Sequence, residues 1–233
     1  MLPTFNEAEN IEPLLRDALA NLPAGAKVLV VDDNSPDGTG ETADRLAKEL
    51  PVEVLHRRGK EGLASAYIAG FKHVLERGAE LVLQMDADFS HDPRDLRRLV
   101  EASARADLVL GSRYVAGGGV EDWSPVRQGI SRGGSAYARI MLGIEIKDLT
   151  GGFKCFHRRV LESIDLDRIS SQGYAFQVET TYRALEAGFK VLEIPIVFRD
   201  RRLGSSKMSR AIAFEAVWRV PLLRRTGPSR RMT

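Results

Sequence analysis

Residues 80–93 read ELVLQMDADFSHDP, and this stretch decides the fold class. The apolar run over residues 81–85 predicts a buried strand, and two carboxylates, Asp86 and Asp88, follow it directly. In an open α/β sheet, ligands bind at the carboxyl ends of the strands. Close like charges raise each other's pKa, and a divalent cation relieves their repulsion. Because Mg²⁺ and Mn²⁺ take carboxylate oxygens together with substrate phosphate oxygens, the stretch indicates a metal-bound phosphate ester at this strand end.

The pattern on either side of this stretch alternates between strands and helices. Strands are predicted over residues 27–32, 52–56 and 107–111, and helices over residues 39–50, 63–77 and 93–105. Such alternation builds βαβ units, so we expect an α/β fold with a mostly parallel central sheet and helices on both faces. A first strand should precede the polar loop that starts at Pro3, and we expect that strand to be very short.

The second half of the chain is less regular. The expected elements are a helix over residues 126–142, an extended segment over 149–156, a helix over 177–187, a strand over 190–198 and a final helix from residue 208. We expect the first of these helices to be broken or loosened near Gly133 and Gly134, and Pro195 to place its strand at a sheet edge or bulge. The sequence contains neither a repeat nor a linker, which predicts a single domain.

The composition narrows the functional classes. The chain has 233 residues, of which 43% are hydrophobic and 28% charged, as in a soluble globular domain with a real core. A net charge of +2 gives no support for nucleic-acid binding. Its single cysteine, Cys155, excludes an intrachain disulfide and is expected to fill the core. No apolar run approaches the length of a membrane span, but the last ten residues carry four arginines and no acid, which suits anionic lipid.

A second acidic segment, VVDDNSPDGT over residues 30–39, has the same pattern as the first. A predicted strand runs into two acids and then into a turn rich in Asn, Ser, Pro, Asp and Gly. These acids could simply cap the next helix. Alternatively, Asp33 lies at the ligand edge of the sheet, where its carboxylate accepts hydrogen bonds from a base or a ribose. The second interpretation gains weight because Asp86 and Asp88 end another strand of the same predicted sheet.

Several segments together resemble a known family. The set PTFNE (3–7), VVDDNSPDGT (30–39), DADFSHDP (86–93) and GSRY (111–114) resembles glycosyltransferase family 2. Within that family, the set SRGGS (131–135), DLTGGFKCF (148–156), GYAFQVE (173–179) and RRLGSSK (201–207) is similar to the dolichyl- or polyprenyl-phosphate mannose synthases. The resemblance implies a GT-A (Rossmann-like) catalytic domain over residues 1–210, followed by a C-terminal helix and basic tail over residues 211–233.

The resemblance also implies a site for the donor nucleotide and its metal. The guanosine pocket would be lined by Pro3, Phe5, Glu7, Val31 and Asp33. The ribose, the diphosphate and a Mg²⁺ or Mn²⁺ ion would be held by Asp86, Ala87 and Asp88. Some relatives carry a metal-binding glutamine at the position of Ser90, whose hydroxyl is a weaker ligand, so Ser90 is a third candidate metal ligand.

Three basic residues complete the predicted site. Arg113 would reach a phosphate, and Arg201 and Lys207 would close over the diphosphate or the acceptor phosphate. Together with Asp88 they form the expected catalytic set. Both reactants are anions, so these cations and a metal offset their repulsion. The acceptor phosphate is already ionised at neutral pH, so we expect direct in-line displacement with inversion and no general base.

The predicted activity is metal-dependent, inverting transfer of mannose from GDP-mannose to dolichyl or polyprenyl phosphate. Two alternatives stay open: the same chemistry with UDP-glucose, and a sugar-nucleotide binding module without catalysis. A nucleotidyltransferase ranks low, because PTFNEAEN lacks a glycine-rich, lysine-containing loop. The lipid acceptor predicts a peripheral location on the cytoplasmic face of a membrane. The final helix or the arginine tail would contact the membrane surface or a membrane-embedded partner protein.

Overall fold

The apolar runs of the sequence form the strands of a central sheet. The computed structural model describes residues 1–200 and 219–224. Within these residues the strands are β1 (Leu2–Thr4), β2 (Val28–Asp32), β3 (Val52–His56), β4 (Leu81–Gln84), β5 (Leu108–Ser112), β6 (Gly119–Val120), β7 (Lys154–His157), β8 (Val191–Pro195) and β9 (Val197–Phe198). The helices are α1 (Ala8–Asn21), α2 (Thr39–Leu46), α3 (Leu63–Glu76), α4 (Asp95–Ser103), α5 (Pro125–Leu142), α6 (Arg158–Ser163) and α7 (Gly173–Glu186), and residues 219–224 are also helical.

Seven of these strands form the central sheet in the order β3-β2-β1-β4-β7-β5-β8, and β6 pairs in parallel with β9 in a separate two-stranded sheet. The first three pair in parallel, and β5 pairs in parallel with β8. Strand β7 is antiparallel and lies between β4 and β5, with Cys155 opposite Leu83 on one side and Val109 on the other. Two hydrogen bonds join β1 to the β4 side: the Met1 amino group donates to the Leu83 carbonyl (2.8 Å), and the Met85 N–H donates to the Met1 carbonyl (3.2 Å). The α/β fold with a mostly parallel sheet is therefore confirmed.

Helices cover both faces of this sheet, as predicted. On one face, α1, α2 and α4 bury a core that includes Leu14, Leu46 and Leu99. On the other face, α3, α6 and α7 bury Phe71 and Phe156. Among residues 1–200 and 219–224, the helices do not combine the length and the hydropathy that crossing a membrane requires.

The structure corrects or refines several sequence predictions. The expected break near Gly133 and Gly134 is wrong, because α5 is continuous from Pro125 to Leu142. Ser124 caps its start by accepting from the Arg127 N–H, so capping and packing outweigh the low helix propensity of glycine. Helix α7 begins four residues earlier than expected. The very short first strand is confirmed at three residues, and the predicted 190–198 strand divides after Pro195, at the sheet edge.

The loops after three strands share an unusual backbone conformation. Asn6, Asn34 and Phe89 follow β1, β2 and β4, and their φ angles are 56°, 56° and 59°. Few residues other than glycine adopt this left-handed region, and such residues concentrate where a loop is shaped for function. Because these strands run in parallel, their carboxyl ends meet at one edge of the sheet. All the predicted donor-site residues from Pro3 to Ser90 lie on these strands or loops.

Candidate active site

The acid pair after β4 is held in two different ways. Asp86 is about one-third exposed, and its Oδ1 accepts a hydrogen bond from the Tyr67 hydroxyl (3.1 Å). Its Oδ2 lies 3.6 Å from His91 Nε2. Asp88 is buried, and its Oδ1 accepts from the Ser90 N–H (3.0 Å), which closes a tight turn. The Asp86 carboxylate is therefore partly open to solvent, whereas the Asp88 carboxylate is fixed by its own loop.

The residues around this pair fit a hard divalent cation. The side-chain oxygens of Asp86 and Asp88 are the ligand type that Mg²⁺ and Mn²⁺ prefer. The Ser90 hydroxyl is buried and makes no hydrogen bond. A buried hydroxyl without a partner is uncommon, and a metal or its water would satisfy it. Over residues 1–200 and 219–224, no three His, Cys, Asp and Glu side chains converge on a single metal position. The protein thus offers a few-ligand site of the kind that substrate phosphates complete.

The loops after β1 and β2 are tied to each other. Pro3 and Val31 are partners in the β1–β2 register and are buried. The Glu7 N–H donates to Thr39 Oγ1 (2.9 Å), and Glu7 Oε2 accepts from Asn10 Nδ2 (2.9 Å). The structure therefore brings the predicted guanosine-pocket residues together at one edge of the sheet.

Phe5 carries an interaction that the sequence analysis did not anticipate. The Lys60 ammonium lies 4.4 Å from the centroid of the Phe5 ring, within the range of a cation–π contact. Phe5 is half-buried at the end of the first strand's loop. A ring in this position offers an apolar surface with a positive charge beside it.

Asp33 is neutralised by an arginine that the sequence analysis missed. Arg57 follows β3, and its Nη1 donates to Asp33 Oδ1 (2.5 Å), while Nη2 donates to Glu61 and Ser65 (2.6 Å each). The side chains of Asp33 and Arg57 are both under 10% exposed. Burial raises the pKa of Asp33 above its ordinary value, and Arg57 offsets only part of that effect.

Arg113 makes a more extensive pair with Asp148. Its Nε and Nη2 donate to the two Asp148 oxygens (2.7 and 2.6 Å), its backbone N–H donates to Oδ2 (2.9 Å), and Nη2 also donates to Thr150 Oγ1 (2.9 Å). The Arg113 side chain is 5% exposed and Asp148 is fully buried. Burial alone would lower the pKa of the Arg113 guanidinium, but Asp148 outweighs it, and the net shift is upward. The residue predicted to reach a phosphate is therefore held in a fixed orientation.

A buried lysine lies beneath the site. The Lys154 Nζ is fully buried and donates to the Gln177 carbonyl (2.7 Å), Thr181 Oγ1 (3.0 Å) and Thr180 Oγ1 (3.1 Å). Gln84, at the end of β4, donates from Nε2 to Gln177 Oε1 (2.8 Å). Burial lowers the pKa of Lys154 to about 7. Strands β4 and β7 are thus both anchored to α7 through one glutamine.

The other residues predicted from the sequence are an alanine, two basic residues and the single cysteine. Ala87 is buried between the two acids in the sequence, and its predicted backbone contact with the donor stays a prediction. Arg201 and Lys207 lie outside the described residues, as does the start of the final helix. Cys155 is buried in the core as expected, and burial raises the pKa of its thiol to about 12.

The helical segment 219–224 packs on the second half of the domain. Val220 and Leu223 are buried against Leu142 of α5 and Val178 of α7. The Arg219 guanidinium donates to Ser170 Oγ (3.0 Å).

The strand order, the helices on both faces and the acids at the strand ends define an α/β transferase of the GT-A class. The chain belongs to glycosyl transferase family 2, whose sequence profile matches residues 1–165. The resemblance stated above is therefore confirmed, and the protein is a glycosyltransferase.

Named relatives extend this comparison over most of the chain. Undecaprenyl-phosphate mannosyltransferase of Micrococcus luteus is 50% identical over 93% of this chain and 89% of its own. Polyprenol monophosphomannose synthase of Mycolicibacterium smegmatis is 47% identical over 94% of this chain and 84% of its own. Dolichol-phosphate mannosyltransferase of Pyrococcus furiosus is 38% identical over 92% of this chain and 60% of its own.

A solved structure supports the fold. Glucosyl-3-phosphoglycerate synthase from Mycobacterium tuberculosis, in complex with Mn²⁺, uridine-diphosphate and glucosyl-3-phosphoglycerate, matches 98% of this chain and 80% of that chain with a TM-score of 0.72. The two sequences are 17% identical, so this match shows a shared architecture alone.

Proposed function

We propose that this protein transfers mannose from GDP-mannose to a polyprenyl phosphate, with inversion at the anomeric carbon and with Mg²⁺ or Mn²⁺ bound. The observation that carries the proposal is the oxygen-rich edge of the sheet, where Asp33 follows β2 and the Asp86/Asp88 pair follows β4, at the carboxyl ends of the two strands that flank β1. The names of the three relatives support mannose as the sugar and a polyprenyl phosphate as the acceptor.

The donor would lie along the ends of β2, β1 and β4. Its guanosine would occupy the pocket of Pro3, Phe5, Glu7, Val31 and Asp33, as predicted from the sequence. Asp86 and Asp88 would hold the cation, with the buried Ser90 hydroxyl as a further oxygen. Such a cation, when bound, supplies positive charge where the departing diphosphate gains negative charge.

The residues of this chain would then perform positioning and charge neutralisation. The Arg113 fork, already oriented by Asp148, would present its remaining N–H groups to a phosphate. Arg201 and Lys207 would contact the diphosphate or the acceptor phosphate, as predicted from the sequence. The ionised acceptor phosphate attacks the anomeric carbon, the glycosidic bond to the diphosphate breaks, and GDP leaves with the bonding electron pair. No general base is needed for this step.

A transfer assay tests the proposal. The purified protein is incubated with radiolabelled GDP-mannose, a short-chain polyprenyl phosphate in detergent and Mn²⁺, and the lipid product is extracted. We expect a mannolipid with inverted configuration by NMR, no product after chelation with EDTA, and a loss of at least about 100-fold in Asp88→Ala. The matched control is Asp44→Ala, which removes an exposed aspartate on α2.

Two results would contradict the proposal. Efficient transfer from UDP-glucose with none from GDP-mannose would show that UDP-glucose is the donor. Nucleotide binding with no turnover for any donor would favour the binding-module alternative.

We also propose that α5 contacts the membrane that carries the acceptor. Val126, Ile130 and Ile140 are 72%, 68% and 71% exposed. At about 100° per residue they fall within a stripe roughly 80° wide, on the side of α5 opposite the buried Ala138 and Leu142. An exposed apolar stripe on a helix suits insertion between lipid headgroups. This placement is consistent with a peripheral position on the cytoplasmic face.

Flotation with liposomes that contain anionic lipid tests this placement. The variant Val126→Ser/Ile130→Ser/Ile140→Ser should lose most of its lipid association, whereas Leu63→Ser, which changes a 36%-exposed leucine on α3, should not. Unchanged flotation of the triple variant would exclude α5 as the contact. A second variant that lacks residues 224–233 separates the contribution of the arginine tail.

A further inference from the structure

Two buried side chains flank the carboxylate of Asp86, one at each oxygen. The Tyr67 hydroxyl donates to Oδ1 (3.1 Å), and His91 Nε2 lies 3.6 Å from Oδ2. Neither residue belongs to the predicted nucleotide, metal or phosphate ligands. Both come from outside the Asp86–Asp88 segment itself, Tyr67 from α3 and His91 from the loop that leads to α4.

Tyr67 is fixed by the aromatic core. It is fully buried, and its ring stacks on Phe176 of α7 with ring centroids 5.8 Å apart and planes 5° apart. The neighbouring Phe71 ring lies 6.1 Å away. A phenol held in this way delivers its hydroxyl to one position, so it fixes the direction of Asp86 Oδ1.

His91 is buried at 2% exposure, and neither of its ring nitrogens makes a hydrogen bond. Its ring stacks on Phe153 with centroids 4.7 Å apart and meets Phe198 edge-on at 5.1 Å. Leaving a buried polar group without a partner costs about 1–3 kcal/mol, so such a group calls for an explanation. The carboxylate of Asp86 lies beside this ring, and a shift of about 0.5 Å would bring Asp86 Oδ2 within hydrogen-bond range of His91 Nε2.

We propose that Tyr67 and His91 are positioning residues that together set the orientation of the Asp86 carboxylate for the donor's cation and diphosphate. Tyr67 holds Oδ1 throughout, and His91 Nε2–H takes Oδ2 in the nucleotide-bound state. A terminal carboxylate otherwise rotates through a broad range of angles, and holding both oxygens removes that freedom. Outer partners of metal-binding carboxylates commonly change metal affinity by 10–100-fold. The inference rests on the proposed function, because it needs a cation at Asp86.

Mn²⁺ binding tests this inference without any measurement of turnover. Mn²⁺ is titrated into the full chain with GDP present, and free Mn²⁺ is followed by electron paramagnetic resonance. Tyr67→Phe and His91→Phe should each weaken Mn²⁺ binding by about 10–100-fold. The first change removes only the hydroxyl, and the second replaces the imidazole with a larger aromatic ring that has no nitrogen. GDP affinity measured by calorimetry in EDTA should stay within about twofold of the parent protein, as expected for residues that act through the cation site.

The control is Tyr182→Phe, which removes a buried hydroxyl in the cluster of α5 and α7 and should leave Mn²⁺ affinity unchanged. Parent-like Mn²⁺ affinity in both Tyr67→Phe and His91→Phe would overturn the inference and leave the proposed function intact. If the two variants lost GDP affinity in EDTA by the same factor as they lost Mn²⁺ affinity, the inference would also be overturned, because that result would show general damage to the pocket. Failure of the parent protein itself to bind Mn²⁺ with GDP would overturn the proposed function, and the inference with it.

Discussion

Two buried arginine–aspartate pairs flank the candidate site, and they are built differently. On the β1–β3 side, Arg57 donates one hydrogen bond to Asp33 through Nη1. Its Nη2 donates to Glu61 and to Ser65. A carboxylate has roughly four acceptor sites, so a single contact leaves Asp33 able to accept from a ligand as well.

On the β5 side, Asp148 receives two hydrogen bonds from the Arg113 guanidinium and one from the Arg113 backbone. It therefore fixes both the side chain and the loop after β5. On this comparison we propose a division of labour, in which the first pair would present its acid to the donor and the second its arginine. The predictions below test that division, from the largest expected effect to the smallest.

Removing the aspartate should destabilise the protein much more in the second pair than in the first. We expect Asp148→Ala to lower the free energy of unfolding by about 3–5 kcal/mol, because it leaves the Arg113 charge buried with the neutral Thr150 hydroxyl in place of a carboxylate partner. Asp33→Ala should cost about 1–2 kcal/mol, because Arg57 keeps Glu61 and Ser65. Chemical denaturation measures both values. Equal losses would show that the two pairs are equivalent.

Replacing both partners of the second pair separates structure from function. In Arg113→Met/Asp148→Leu no buried charge is left unpaired, so most of the stability lost in Asp148→Ala should return. Mannose transfer should stay down by about 100-fold or more, because the guanidinium fork is gone. Turnover close to that of the parent protein in this double variant would make Arg113 a purely structural residue.

Lys154 differs from both arginines because uncharged oxygens hold it. Its pKa in the folded protein is about 7, against 10.5 ordinarily. Between these values the unfolded chain keeps a proton that the folded chain has released. The free energy of unfolding should therefore rise with pH by at most about 1.4 kcal/mol per unit. Lys154→Met should lack that slope when both proteins are denatured at pH 7, 8 and 9. Identical slopes would refute the assignment.

Removing the Glu61 side chain should have the smallest effect of these changes. It accepts from Arg57, but its side chain is 67% exposed, and exposed ion pairs contribute at most about 1 kcal/mol. We expect Glu61→Ala to change the free energy of unfolding by less than about 0.5 kcal/mol and to leave the affinity for GDP unchanged. A loss larger than about 1 kcal/mol would show that Arg57 depends on Glu61 as well as on Asp33.

The elements that local patterns predict best are short apolar runs that are bounded by polar or turn residues. Strand β3 was predicted at its observed bounds, and β2 to within one residue. The antiparallel position of β7 was not predicted, because it depends on pairing with β4 and β5 across long sequence separations. The continuity of α5 was missed because capping and tertiary packing outweigh the propensity of Gly133 and Gly134.

The same contrast applies to the site. Asp33, Asp86 and Asp88 stand out because acids follow apolar strands, whereas Arg113 was predicted only from the family resemblance of GSRY. Their partners do not stand out, since Tyr67, Arg57 and Asp148 lie 19, 24 and 35 residues away from the groups they contact. Tyr67 and Arg57 lie in a helix and a loop pattern with no signal of their own, and Asp148 was marked only as the first residue of the family segment DLTGGFKCF.

The most direct test of the central claim is anomalous diffraction at the manganese edge from crystals grown with GDP-mannose and Mn²⁺. The account predicts one strong peak beside the carboxylates of Asp86 and Asp88, in contact with the donor's diphosphate. A nucleotide bound at the ends of β1 and β2 with no manganese beside these two acids would contradict it.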